Sequence, residues 1–363
     1  MTIYFFLLFV AILLCIVRPY LKSYEKLIAI LFLLLIAFIG FSRDISVGTD
    51  NLIYSWNFKF TNFNQGTWSY FTEFEPGFNY LIAFFKKYIS NDYLLFMGIL
   101  YIFWILAFYK LTTIFQVGYI YPIFIALCLG WLTTTPYNIM RQVFALSVYT
   151  LILPLLLNRK KTIYIILCIA IGFLFHRSII ALSIMGLFDN KLVVKLIQNK
   201  KIVIITLIVS YVFVFLKQPI NRLLNNYLFY FQFLGDRYVG YISHAEYEEE
   251  SISKIGSMIS TFMACITVYS LNKTQKFYSI YTLFILCGVL FNNLLGGVFV
   301  IFMRIATNFL WVYVFCYTTI LNMSKGLKGL IIKVTIVSYC LFIYIYSLAK
   351  NYGDIVPYVM RIF

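Results

Sequence analysis

Polar residues that could do chemistry are few in this chain, and they come in short groups. Arg43-Asp44 is followed by Val47-Gly48-Thr49-Asp50. Gly48 permits a tight backbone turn, Arg43 is a candidate anion ligand, and Asp50 is a candidate base. Thr49 or Asp50 is equally suited to capping a helix that runs through Tyr54. Next comes Glu75-Pro76-Gly77-Phe78, where a proline–glycine turn would fix a carboxylate at one height as a base or sugar ligand. A negative charge at a helix start is the ordinary alternative. Arg141-Gln142 opens an apolar segment through Phe144, Leu146 and Val148, so Arg141 requires an anionic partner, a polar cavity or an interface to snorkel to. His176-Arg177-Ser178 puts one of only two histidines beside an arginine. Such a histidine could take a proton or donate to a phosphate oxygen, although a lone buried histidine is more often simply hydrogen-bonded. Arg304, after the Gly296-Gly297 break, and Arg237, in the polar stretch 217–254, complete the candidates.

These groups must be positioned by a membrane protein. Of 363 residues 63% are hydrophobic and 12% charged, whereas soluble domains are near half apolar and a quarter charged. Backbone polar groups in hydrocarbon must be satisfied internally, and long unbroken apolar runs satisfy them as helices. Runs near 1–17, 26–41, 93–109, 119–133, 139–157, 162–176, 178–188, 201–216, 255–271, 277–295, 299–321 and 330–348 predict an all-α polytopic protein, a single membrane domain of roughly 12 transmembrane helices at ~20 residues per crossing. The run 178–188 is too short to cross unaided. Met1 to Val17 has no basic residue ahead of it and no small-residue cleavage pattern behind it, so it reads as a retained span.

Charge sets the orientation. With the N-terminus outside, the inner loops hold 16 basic residues against two acids, Glu25 and Asp189, leaving 13 of the 29 basic residues and 11 of the 13 acids outside. The net charge of +16 is therefore explained by topology rather than by nucleic acid. Among inner residues only Arg18 and Arg159 are arginines; Arg43, Arg141, Arg177, Arg222, Arg237, Arg304 and Arg361 fall outside, where topology calls for no positive charge. A guanidinium fork suits phosphate and carboxylate oxygens, so this excess points to an anionic ligand, with loop ion pairing as the alternative. Two outer loops stand out: 42–92, whose apolar stretch Phe78 to Ile89 with Lys86 and Lys87 is expected as an interfacial helix, and 217–254, a lid candidate. The seven cysteines all lie in apolar runs without close pairs, giving neither a disulfide framework nor a zinc site.

Together, Arg43-Asp44 with Val47-Gly48-Thr49-Asp50, Glu75-Pro76-Gly77-Phe78, Arg141-Gln142 with Phe144-Ala145, and His176-Arg177-Ser178 resemble the EpsG-like, Wzy-type polysaccharide polymerases of bacteria. The order and spacing match over the first half of the chain; the second half matches as a hydropathy outline. The resemblance implies a glycosyltransferase of the cytoplasmic membrane, its site facing the periplasm or exterior. It would polymerise oligosaccharide repeat units carried on undecaprenyl pyrophosphate, with a chain-length regulator as a further partner. Arg43, Arg141, Gln142, Arg177, Arg237 and Arg304 would hold the pyrophosphate, and Glu75, His176 or Asp50 would deprotonate the acceptor hydroxyl. Trp56, Trp68 and Tyr70 could stack on sugars, or serve as an interfacial belt. No Gly-rich nucleotide loop is present, no cofactor is expected, and no acidic set has metal-ligand spacing, although Asp44 and Asp50 keep that option open. An O-antigen ligase or another lipid-linked glycosyltransferase would use the same face. A flippase would need polar residues through the middle of many spans, and most spans here are apolar at their centres.

The orientation is directly testable: cysteines placed at residues 59 and 245 should label from outside intact cells, and one at residue 160 only after permeabilisation. The reverse pattern would turn the protein over and remove the site argument.

Overall fold

The computed structural model describes residues 1–61, 74–188, 190–216, 254–295 and 300–361; Trp68, Tyr70, Arg237 and nearly all of the 217–254 loop lie outside them. In chain order the helices are α1 (Thr2–Val17), α2 (Glu25–Phe41), α3 (Asn51–Phe60), α4 (Pro76–Tyr88), α5 (Tyr93–Phe115), α6 (Ile120–Cys128), α7 (Thr134–Asn138), α8 (Met140–Leu157), α9 (Lys161–Leu174), α10 (Lys191–Gln198), α11 (Lys200–Val212), α12 (Lys254–Ser270), α13 (Tyr278–Leu290), α14 (Val300–Leu310), α15 (Tyr313–Met323) and α16 (Gly326–Ala349). Among the described residues the one β-type pairing is an isolated antiparallel bridge between Arg43 and Met360. The chain is an all-helical polytopic membrane protein.

Among the described residues six helical stretches are long and apolar enough to cross a membrane: Thr2–Tyr20, Lys22–Phe41, Tyr93–Phe115, Met140–Leu157, Met303–Met323 and Gly326–Ala349. A seventh is reached if α10 and the stretch Lys200–Leu216, bent by 84°, count as one. The expected twelve is not confirmed, because several apolar runs are broken before they reach spanning length. The run 119–133 forms α6, nine residues, and then turns at Gly130 with φ +77°. Residues Arg177–Leu187 form a 3-10 stretch, and α9 stops at 14 residues.

The helices gather into two compact units, one of Met1–Ile180 with Tyr317–Phe363 and one of Ala181–Cys316. In the first, alternate helix ends meet. At one end Arg18 pairs with Glu25 at 3.2 Å and donates to Asn322, while Glu25 accepts from the N–H groups of Tyr119 and Ile120, the exposed donors at the start of α6. The end of α1 and the starts of α2 and α6 are thereby tied together. At the opposite end the C-terminal segment folds back: Tyr4 donates to Ile355 O, Tyr358 to Ile39 O, and Arg361 N to Ser42 O. The broken backbone after α6 is satisfied from α5, where Trp104 Nε1 donates to Trp131 O and Tyr101 to Leu132 O, both at 2.6 Å. Non-helical backbone in an apolar bundle persists only with such partners.

In the second unit a π-helical turn, Phe291–Leu295, follows α13. It presents the fully buried Asn293, whose Nδ2 donates to Ser210 Oγ of α11 at 3.0 Å and to Thr261 Oγ1 of α12 at 2.9 Å. The Ser210 hydroxyl donates to Leu207 O, which leaves its oxygen lone pairs free to accept. Hydrogen bonds between membrane helices contribute about 0.6 kcal/mol each. Asn293→Ala should therefore lower the thermal midpoint in detergent by a few degrees; an unchanged midpoint would show that the network does not hold these helices.

Candidate functional site

The site is built where α4, α8 and α9 begin or end. Pro76 occupies the first position of α4, with fixed φ and no N–H to satisfy, and Glu75 precedes it in extended conformation. The Glu75 carboxylate makes no cap bond to its own helix. It reaches instead to Arg141 in the first turn of α8, with Oε2 accepting from Nη1 at 2.8 Å, and both side chains are over nine-tenths buried. Oε1 accepts the backbone N–H of Arg177 at 3.0 Å. The Arg141 guanidinium lies over the Phe74 ring, 4.0 Å from its centroid, and its Nε has no acceptor among the described residues.

Gly77 explains why these three helix ends can meet. The sequence suggested a proline–glycine turn; Gly77 is instead inside the first turn of α4, where a Cβ would come within 2.6 Å of the Leu174 carbonyl at the end of α9. Its missing side chain lets α4 pack against α9 and brings Glu75 under the Arg177 amide. Beneath them the Tyr54, Phe74 and Phe78 rings pack together.

His176 is buried and turned inward: Ser178 N and Oγ approach its Nδ1 at 3.4 and 2.7 Å. A backbone N–H can only donate, so Nδ1 is an acceptor there and a neutral ring would carry its proton on Nε2. Arg177 contributes its amide to the cluster while its side chain is exposed. Gln142 is buried next to Arg141.

Arg43, Gly48 and Thr49 form a neighbouring group on α7. The Arg43 guanidinium stacks over Tyr137, 4.6 Å from the ring centroid. Gly48, with φ +112°, lies against the Tyr137 carbonyl so closely that any side chain would collide with it, which confirms the glycine requirement. Thr49 donates through both N and Oγ1 to Asn138 Oδ1. Asp50 occupies the N-cap position of α3, where the capping alternative places it, but its side chain makes no cap bond there. Nor does any ion pair join Arg43 to Asp44 or Asp50; the Asp44 carboxylate turns to Ser46 N and Oγ. The two groups flank the α7–α8 junction, since Asn138 and Arg141 are three residues apart. Arg304 lies on α14 in the second unit, and Arg237 is outside the described residues. No group of three or more His, Cys, Asp or Glu suited to a metal occurs among the described residues.

Sequence reasoning missed the residues that hold this framework. Asn57 Nδ2 donates to Asn79 Oδ1, and Asn79 Nδ2 to Phe74 O, a buried pair that joins α3 to α4. Lys86 places its ammonium on the carbonyls of Phe58, Lys59 and Thr61, closing the C-terminal end of α3. Asp92 caps α5 through Leu94 N and Leu95 N and binds Arg361 Nη2 at 2.7 Å. Asp92 in a capping position was legible; the asparagines had no signal beyond being polar.

The fold and this buried arginine–carboxylate cluster define a polytopic helical membrane protein with a charged site at one end of its first unit. The EpsG family model matches residues 25–360, and the chain belongs to the EpsG family. Membership associates it with a polysaccharide-polymerase type of role. No curated protein and no solved structure matches it.

Burial by itself would raise the Asp92 carboxyl, but the Arg361 guanidinium and the Leu95 and Leu94 amides outweigh it and hold the group below the usual carboxylate range. A lowered folded value stabilises the protein above the unfolded value of about 4 and is lost as pH falls through the folded one. The wild-type thermal midpoint should therefore drop on acidification below about pH 4 by more than that of Asp92→Asn, which keeps a cap acceptor and lacks the titration. Equal acid losses would discount the Arg361–Asp92 contact.

Proposed function

We propose that the protein polymerises oligosaccharide repeat units carried on undecaprenyl pyrophosphate at the outer face of the bacterial cytoplasmic membrane. The observation that carries this reading is the buried Arg141–Glu75 pair braced by the Arg177 amide, in a chain of the EpsG family. The inner-loop excess of lysine supports placing that end outside, with α4 lying along the interface. At 13 residues α4 reaches only about 20 Å, short of a crossing.

In this reaction the acceptor hydroxyl attacks the anomeric carbon of the donor chain, a new glycosidic bond forms, and the bond to the lipid diphosphate breaks with its electron pair leaving on the phosphate oxygen. Arginine suits the leaving group because it does not lose its proton and its donors are already oriented. The hydroxyl proton passes to a base, for which Glu75 is our assignment ahead of His176 and Asp50. Each Glu75 oxygen retains a second lone pair beyond the donor it already holds. As Glu75 becomes neutral on taking the proton, its hold on Arg141 weakens, and the guanidinium is released toward the diphosphate as negative charge develops there. Proton transfer and leaving-group stabilisation would thus be linked through one ion pair.

Deleting the gene should leave cells with one lipid-linked repeat unit in place of polymer. Arg141→Lys should insert normally and lose polymerisation by about a hundred-fold, since a point charge cannot reproduce the fork or the stacking on Phe74. Glu75→Gln should keep donor binding and lose transfer, with a defect that more acceptor does not relieve, as expected for an interaction made in the transition state. Full activity of Glu75→Gln would pass the base to His176, and near-normal polymer from Arg141→Lys would make Arg141 an anchor of the bundle.

A further inference from the structure

Arg141 and Arg43 are both buried arginines at the same end of the first unit, but their charge balance differs. Arg141 is neutralised by Glu75. Arg43 is 3% exposed, pairs with no carboxylate, and has no acceptor for Nη1 or Nη2 among the described residues. Guanidinium cannot shed its proton, so it remains a buried cation whose partner is the Tyr137 ring face. The hydroxyls nearby do not compensate: Tyr4, Tyr101, Tyr358 and Tyr93 donate to the carbonyls of Ile355, Leu132, Ile39 and Asn51. The Asp44 carboxylate is held by Ser46 and that of Asp92 by Arg361.

What covers Arg43 is the C-terminal segment. Asp44 N donates to Val359 O and Arg361 N to Ser42 O, so the chain runs antiparallel across Arg43 with Met360 opposite it. Farther back Gly48 N donates to Asp354 O, and Gly353 packs on Asn138. The outer attachment is the part-exposed Arg361–Asp92 ion pair. The inner part of the segment is held by the Tyr4 and Tyr358 hydroxyls and by backbone bonds, so the weak fastening is the part-exposed Arg361–Asp92 pair at its outer end, whereas a buried unpaired cation is a costly state that an oxyanion would relieve.

We propose that Arg43 is a covered binding site for a phosphoryl oxyanion and that the outer end of this segment, Val359–Arg361, is the strap that opens and closes it. The kind of anion rests on the polymerase reading, in which the diphosphate goes to Arg43, the one of these two arginines with uncompensated charge. Arg141, held by Glu75 at rest, joins it only when Glu75 takes the acceptor proton and loosens that pair. The occupant enters when the Arg361–Asp92 attachment parts, and its oxygens take the free Nη1 and Nη2 donors.

The test uses the full chain in nanodiscs and reads binding, not polymerisation, so that it stands apart from failure of the polymerase reading. Inorganic pyrophosphate should bind the wild type, bind Arg43→Gln about ten-fold more weakly or worse, and bind Lys59→Gln, an exposed charge control, unchanged. Arg43→Lys should fall between. A cysteine pair at positions 92 and 361, joined by a short cleavable thiol cross-linker, should block binding until the link is reduced. A polyprenyl diphosphate carried in the same discs identifies the source: tighter binding than pyrophosphate marks a membrane-supplied headgroup, and equal binding a free anion. Undiminished binding by Arg43→Gln would overturn the site, and unchanged binding in the cross-linked protein would overturn the strap.

Discussion

The ion pair between Arg141 and Glu75 is the contact on which this end of the molecule depends. It joins the start of α8 to the start of α4, and through the second carboxylate oxygen it fastens the amide that follows α9. Both charges are withdrawn from water, and removing one partner of such a pair costs about 3–5 kcal/mol because the other is left uncompensated. The surroundings are arranged so that the pair can exist. Pro76 starts α4 without an orphan N–H, Gly77 permits the approach to Leu174, and Phe74 offers its face to the guanidinium.

The same economy of polar groups governs the rest of the bundle. Where a helix stops inside apolar surroundings, its free carbonyls are met by a side chain from elsewhere: Trp104 and Tyr101 for the break after α6, Lys86 for α3. In the second unit the ammonium of Lys200 takes the carbonyls of Tyr269 and Leu271 at the C-terminal end of α12. The lysines work as terminators of helices, where a compact ammonium meets several carbonyls at once. Buried arginines work against flat partners, a carboxylate or an aromatic ring, as their planar fork requires.

That division gives the two ends of the first unit different characters. At the Arg18 end, charge is used up in structure, with Glu25 accepting from Arg18 and from the α6 amides. At the Arg43 end, donors are left over, on Arg43 and on Arg141 Nε. Under the proposed polymerase reading, these unspent donors on permanently charged groups are the ones an anionic substrate would meet.

Composition and hydropathy alone determined that the chain is helical and membrane-embedded, because lipid admits only helices or closed barrels and long unbroken apolar runs select helices. The four short motifs marked charged groups that the structure brings to one end of the first unit, since charges are too costly in hydrocarbon to be placed idly. Hydropathy did not show where the apolar runs are broken, because it records that 119–133 is apolar but not that Gly130 turns the backbone there. The role of Gly77 was likewise hidden: a sequence shows that glycine permits a turn, and only packing shows that it permits an approach. Pairing was beyond the sequence altogether. Glu75 and Arg141 are 66 residues apart, Asp92 and Arg361 are 269 apart, and Arg43 has no ionic partner among the described residues. Which charges are compensated depends on which helix ends meet, and that is decided when the bundle closes.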